Sequence, residues 1–407
     1  MTFETKYPFV KLADVVTETQ YGTSKPANGN GGRFPILRMN NITYSGHLDL
    51  SDIKRIDVPD ADIDKYTVKR RDLLFNRTNS RELVGKTAVW DRDAKYAFAG
   101  YLIRVRFDES RVVPEFISAY LNSQYGKAVL FARCKPSVNM SNISATELLR
   151  FEVPLPPLTE QKRIADILGK ADAIRRKRQQ AHTTTSALIE SVYRELFGDP
   201  ATNSSGWPTR PLKSLVSAGF QNGAYYKKSE YVLDRDSGTQ MVHMSDAFYG
   251  TVDLTGLKCV NASPPDITKY RLTENDLLVA RRSLNYEGAA KPCRIPATND
   301  DLIFESSLIR VTPDRTQLLP LYLHYFLLDS RARAQYVFPH VTRSTISGIN
   351  QAGLGRVPIV LPPLELQQEF VSVHSQMEEI ESKWATAAAN ADDLFNSLVQ
   401  RAFKGEL

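Results

Sequence analysis

The second half of this chain repeats the first. Arg70-Arg71-Asp72-Leu73-Leu74-Phe75-Asn76-Arg77 matches Glu274-Asn275-Asp276-Leu277-Leu278-Val279-Ala280-Arg281, and Leu102-Ile103-Arg104-Val105 matches Leu308-Ile309-Arg310-Val311. Leu155-Pro156-Pro157-Leu158 returns as Leu361-Pro362-Pro363-Leu364, and Lys65-Tyr66 as Lys269-Tyr270. The matches keep their order at an offset of 203–207. A period that long excludes a solenoid, whose repeats run to about 20–50 residues. The 407 residues are therefore read as two homologous domains in tandem, consistent with about 100–200 residues per domain.

Each half divides again. Its first part carries short β-branched runs, such as Thr87-Ala88-Val89-Trp90 and Tyr101-Leu102-Ile103-Arg104-Val105-Arg106. Turn residues separate the runs at 28–32, Ser45-Gly46 and Val84-Gly85-Lys86, and a helical stretch from Pro114 to about Leu130 interrupts them. This mixture reads as α+β. The last 40 or so residues of each half are different. After Pro362-Pro363, apolar or small residues recur at Phe370, Val373, Met377, Ile380, Trp384, Ala387, Ala391, Leu394 and Leu398, in alternating steps of 3 and 4. The segment after Pro156-Pro157 places Ile164, Ile167, Ile174, Leu188 and Val192 on a comparable stripe. A sustained seven-residue repeat is the seam of a coiled coil. Proline before each segment and glycine after it (Gly198, Gly405) mark the helix ends. The expected organisation is a first α+β domain over 1–157, a long helix over 158–197, a linker over 198–208, a second α+β domain over 209–362 and a second helix over 363–404. Each helix would be roughly 60 Å long at about 1.5 Å per residue.

Charge suggests how the helices pair. Segment 158–197 has eight basic and five acidic residues, net +3, whereas 364–404 has three basic and seven acidic, net −4. An antiparallel pair would bring Arg175–Arg178 within a turn or two of Glu378, Glu379 and Glu381. Complementary charge of this kind selects partner and direction more than it stabilises. Two α+β domains joined by antiparallel helices would be related by an approximate two-fold axis.

Leu155-Pro156-Pro157-Leu158-Thr159-Glu160-Gln161-Lys162-Arg163-Ile164-Ala165 resembles the start of the first conserved region in the specificity subunit of type I restriction-modification enzymes. Leu361-Pro362-Pro363-Leu364-Glu365-Leu366-Gln367-Gln368 resembles the second, and Leu196-Phe197-Gly198-Asp199-Pro200 and 402–407 resemble the ends of those helices. The second copy departs in having Leu366 before the glutamine and Phe370-Val371 where basic residues stand in the first. The resemblance covers the whole chain. It implies that each α+β domain recognises one half of a bipartite DNA sequence, and that the helices set the spacing and dock two methyltransferase subunits. Restriction/translocase subunits would then join. It also implies a non-catalytic chain, with S-adenosylmethionine, Mg and ATP bound by the partner subunits and no cofactor here.

The residues agree with that expectation. No Gly-rich loop ends in Gly-Lys-Ser/Thr, and no dinucleotide fingerprint occurs. Asp60, Asp62 and Asp64 form a short acidic run without a partner motif, and six histidines lie scattered without ligand spacing. Three distant cysteines fit a reducing cytoplasm rather than a disulfide framework. The start of the chain has no secretory-signal pattern, and no run approaches about 18 apolar residues. The net charge of +6 is compatible with nucleic acid. Two other readings stay open to the sequence: a protein-binding adaptor, or component of another defence or DNA-processing complex, with two domains on a helical spacer; and an enzyme with an unrecognised site.

DNA binding requires cations for phosphates and planar donors for base edges. Three pairs of segments offer them. The first is Arg77, Asn79, Arg81 and Lys86, matched by Arg281, Arg282, Asn285 and Tyr286. The second is Lys135 and Asn139, matched by Arg343; the third is Lys25 and Arg33 in the glycine-rich stretch, opposite Tyr225, Lys227 and Lys228. Arginine can grip guanine and asparagine can grip adenine with two bonds each. Residues retained in both copies, including Asp72/Asp276 and Arg104/Arg310, are expected to maintain the fold or touch phosphate. Residues that differ (Asn79, Arg81, Asn285, Tyr286) are the better candidates for reading sequence.

Overall fold

The computed structural model describes residues 4–27, 29, 31–80, 83–133, 135–136, 141–233, 238–247, 250–343 and 345–407; the side chains of 133, 135–136 and 182–187 are outside this description. The chain forms two compact units, Met1–Gln180 with Trp384–Leu407, and Ala181–Lys383.

In the first unit, Val16–Tyr21, Leu102–Phe107, Leu73–Asn76 and Thr87–Val89 form an antiparallel sheet in that spatial order. In the second, Gln221–Asn222, Leu308–Val311, Leu277–Ala280 and Pro292–Arg294 repeat it strand for strand. The central strand explains why its sequence is a continuous apolar run rather than an alternating one. Leu73 and Phe75 enter one core cluster while Leu74 enters another, so both faces are covered. Leu277 and Val279 against Leu278 do the same. A smaller sheet follows in each unit, with Phe34–Leu37 paired antiparallel to Lys54–Ile56 and parallel to Ala97–Phe98. Its counterpart pairs Thr239–Val242 with Lys258–Val260 and Leu302–Phe304.

The helices of the two units start alike. Pro114 and Pro320 open Pro114–Asn122 and Pro320–Leu328, where a missing N–H costs nothing. Ser144 and Asn350 cap two short helices by accepting from Glu147 N and Gly353 N.

The long helices span Leu158–Phe197 and Leu364–Lys404. Each ends at a glycine with positive φ, Gly198 (63°) and Gly405 (79°). Their first turns are held by one device used twice. Gln161 is fully buried; its Nε2 donates to Arg111 O and Pro156 O at 2.9 Å, and its Oε1 accepts from Val113 N at 2.9 Å. Gln367 repeats this with Gln317 O, Pro362 O and Leu319 N at 2.8–3.0 Å. Each glutamine thereby satisfies loop groups that would otherwise be orphaned in the core.

Within each unit, segments of the two long helices pack on each other, and in the first unit they run antiparallel. In the first, Ile164 and Leu168 share a core cluster with Ala402 and Phe403. Further along, the Arg175 guanidinium lies 4.7 Å from the Phe395 ring centre, and Arg178 donates to Ala387 O at 2.8 Å. In the second unit, Tyr193 and Phe197 pack on Phe370, each at 5.5 Å between ring centres.

The heptad seam needs correction. Ile164 and Phe370 are buried, and Ile167, Val192, Val373, Met377 and Leu398 are half-buried. Ile174 (53%), Leu188, Ile380, Trp384 and Leu394 (61%) are exposed. The buried positions of the first helix instead step by four, through Ile164, Leu168 and Asp172, and later Ile189, Tyr193 and Phe197. At its two ends the helix packs on its globular domain as well as on the other helix, and a broader contact face draws in neighbouring positions. Arg175 pairs with Asp172 and Asp392, Glu378 with Arg294 and His374, and Glu379 with Lys383.

Candidate nucleic-acid interface

Two of the three segment pairs meet in space. In the first unit, Thr78–Asn79 pairs with Ser141–Asn142, which pairs in turn with Lys135–Pro136. In the second, Arg282–Ser283 pairs with Ser347–Gly348. Each ribbon is rooted by one main-chain bond, Ile143 N to Arg77 O (2.9 Å) and Ile349 N to Arg281 O (3.0 Å). Gly348 is required there, because a Cβ would come within 2.7 Å of Arg281 O.

Arg77 and Arg281 share a role. Their Nη1 groups donate to Gly100 O (3.5 Å) and Ser306 O (3.3 Å). In the first unit the guanidinium also lies 4.8 Å from the Tyr21 ring centre and donates to Asn142 Oδ1 at 3.3 Å. The Tyr21 hydroxyl accepts from Ala145 N at 2.8 Å. Tyr21 and Asn142 carried no motif of their own in the sequence. In the second unit, Gln351 donates to Asn222 Oδ1 at 3.0 Å.

The exposed faces differ. Asn79 is half-buried and accepts from Ser80 N at 2.9 Å. Arg282 and Asn285 are exposed. The Tyr286 ring packs on Phe338 at 4.7 Å and donates its hydroxyl to Phe338 O at 3.0 Å, while Arg343 lies over that ring at 4.1 Å. Beneath them the buried Arg333 donates to Glu287 O, Ala289 O and Ala290 O at 2.7–3.2 Å, fixing the loop at the ribbon root.

The same family model matches twice, over residues 4–182 and 204–385, and describes a type I restriction modification DNA specificity domain. The chain belongs to that family. Over 393 residues it is 23% identical to the type I restriction enzyme EcoKI specificity subunit of Escherichia coli strain K12, covering 92% of this chain and 82% of that one. Over 390 residues it is 22% identical to the StySPI specificity subunit of Salmonella potsdam, with the same coverage. Among solved structures, the type I restriction-modification S subunit from M. genitalium is 12% identical and covers 99% of this chain and 98% of that one, with a TM-score of 0.56. A chain from a type I system studied for complex assembly and conformational transition covers 100% of both at 18% identity, with a TM-score of 0.57. The fold is thus that of type I specificity subunits.

For this specificity-family chain, the remaining candidates fall into three groups. Lys25, Tyr225, Lys227 and Lys228 are exposed. Arg33 is exposed but engaged with Asp60. Arg81 and Asn139 lie outside the described residues, as does the side chain of Lys135. Lys86 is a correction. It is buried, with Nζ donating to Met39 O (3.1 Å) and Ile42 O (2.5 Å), so it stitches the core instead of presenting a cation. Burial lowers its pKa. Its neighbour Lys127 binds Tyr44 O, and burial together with the charge on Lys86 brings its pKa to about 8.

Each unit also fastens a carboxylate of a long helix to its globular domain. In the first unit Asp172 lies 2.6 Å from His47, and Arg175 and Arg176 also bind it. Burial opposes its ionisation, but these contacts prevail and its pKa is lowered. In the second, Glu378 accepts from Arg294 at 2.7 Å and lies 3.4 Å from His374. The hydrogen bond from His374, countered by burial and aided by Arg294, brings it to about 2.

Proposed function

We propose that each unit reads one half of a bipartite DNA sequence and that the long helices set the unread gap and dock two methyltransferase subunits. The observation that carries this reading is the pair of ribbons. Their roots are the same main-chain and arginine contacts, while their exposed residues differ, as two readers of unlike half-sites require. The family description and the names of the relatives support DNA specificity. Helices of 40 and 41 residues are long enough to act as a spacer.

In this reading the chain is non-catalytic and acts in the cytoplasm. Restriction/translocase subunits join the assembly, and S-adenosylmethionine, Mg and ATP are bound by the partners. Among the described residues no helix is long and apolar enough to cross a membrane.

Methylome mapping of cells that express the chain with its methyltransferase tests the reading. The expected result is a split motif with an unread centre. Inserting four residues into each long helix adds about 6 Å, close to two base pairs at ~3.4 Å each. The gap should widen while the half-sites stay the same. A contiguous motif, or unchanged spacing, would refute it.

A further inference from the structure

The second ribbon ends in two exposed aliphatic side chains. Arg282 pairs with Gly348 and Ser283 with Ser347. Leu284 and Ile346 are the residues next beyond the paired ends of these two strands, at the same end of the ribbon. Leu284 is 83% exposed and Ile346 51%. Alternation along the strands puts Arg282 on one face and Ser283 and Ser347 on the other. Burial agrees, because Ser347 is buried while Arg282 is exposed.

This tip is rigidly mounted and positively flanked. Gly348 is bonded on its other side to Thr342 in both directions, at 2.8 and 3.1 Å. Arg333 holds the loop beneath, and Arg343 is stacked on Tyr286 beside it. Glu287 is the acidic residue in this stretch. A two-stranded ribbon fits the major groove, and the apolar group displayed there is the C5-methyl of thymine.

We propose that Leu284 and Ile346 form an apolar wedge that selects thymine by its methyl group at one position of the half-site read by the second unit. Arg282 and Arg343 hold the flanking backbone or bases. The first ribbon has Thr78 in place of Arg282 and Ser80 in place of Leu284, so the wedge belongs to one half-site alone. This inference rests on the bipartite reading above.

The test uses the full chain assembled with its methyltransferase subunits, comparing wild type, Leu284→Ser and Ile346→Ser on duplexes that carry the mapped target. Both side chains are exposed, and an unchanged melting temperature verifies folding. A buried methyl contributes about four-fold to a binding constant. The variants should relax one A·T position of one half-site by about that factor and leave the other half-site intact. Replacing the thymine at that position with deoxyuridine, which lacks only the methyl, should slow wild type about four-fold and leave Leu284→Ser unaffected. This second arm on wild type needs no variant to fold. Equal slowing of both proteins by deoxyuridine, no slowing of wild type, or a half-site without thymine would overturn the wedge while a split motif still stands. Loss of the split motif itself in wild type would overturn both.

Discussion

Arg104 and Arg310 occupy matching positions in matching strands, yet their surroundings differ. Arg104 is 1% exposed, donates to Asp64 O (3.0 Å) and Thr67 O (2.6 Å), and pairs with Glu18. Arg310 is partly exposed and donates to Arg271 O at 2.6 Å. The adjacent aspartates follow suit. Asp72 is clamped by Arg106, whereas Asp276 accepts from the hydroxyl of Thr312, which stands where Arg106 does. Duplication kept the donor and acceptor positions that close the sheet and let the charge balance drift. A residue present in both copies is therefore evidence of a shared structural task, and the amount of stabilisation it supplies is a separate matter. Arg104→Ala should destabilise the first unit by about 2–4 kcal/mol, because two carbonyls lose their buried donor while Glu18 keeps Arg106. Arg310→Ala should destabilise the second by about 1 kcal/mol. Equal losses in denaturant titrations would erase this contrast.

Acid should separate the units next. His324 is buried, and burial, reinforced by Arg294 and His374 and countered by Glu378, lowers its pKa to about 3. Its positional match in the first unit is Ser118, whose hydroxyl lies 3.0 Å from that of Thr87. In the folded state His324 stays neutral, while in the unfolded state it takes up a proton below about 6.5. Stability is thus lost as pH falls from about 6.5 toward 3. Glu378, held at about 2, adds loss in the same direction below about 4.5. The second unit should weaken by a few kcal/mol between pH 6.5 and 4.5, read as faster hydrogen exchange corrected for intrinsic rate. His324→Gln should remove most of that slope. A slope unchanged in the variant would assign acid sensitivity elsewhere.

The glutamines are the point at which the units should behave alike. Gln161→Ala and Gln367→Ala each strip partners from one buried N–H and two carbonyls, and each should cost about 2–4 kcal/mol. Unequal effects would show that the two helix starts are not equivalent. These residues also mark what the sequence made legible. The duplication, the α+β class and both long helices follow from ordered matches, strand runs and end signals that local chemistry dictates. The glutamines were visible as part of a motif, but their bonds to loops some 50 positions away were not. The helix seam was misread at Ile174 and Leu394 because heptad spacing encodes a two-helix contact and is silent about the globular domain that packs on the same helix. Lys86 was misread for a related reason. A lysine beside a turn reads as exposed unless the carbonyls of Met39 and Ile42 are known to converge on it. Of the candidate interface, the sequence showed the segments but not that Thr78–Asn79, Ser141–Asn142 and Lys135–Pro136 are strands of one ribbon, since pairing at that separation leaves no local trace.

The smallest expected effect concerns the ribbon roots. Arg77 rests on the Tyr21 ring, whereas the matching position in the second unit is Asn222, which binds Gln351. A cation over an exposed aromatic face contributes about 0.5–1 kcal/mol. A double-mutant cycle of Tyr21→Ala with Arg77→Ala should return a coupling of that size. The matching cycle of Asn222→Ala with Arg281→Ala should return values near zero, because Asn222 has no ring to offer a cation and is bound to Gln351. Tyr21→Phe divides the first effect further. It keeps the ring under Arg77 but deletes the acceptor for Ala145 N, so stability should fall by about 1 kcal/mol with the coupling retained. Coupling in both units, or in neither, would mean that the aromatic ring does not distinguish the first ribbon from the second.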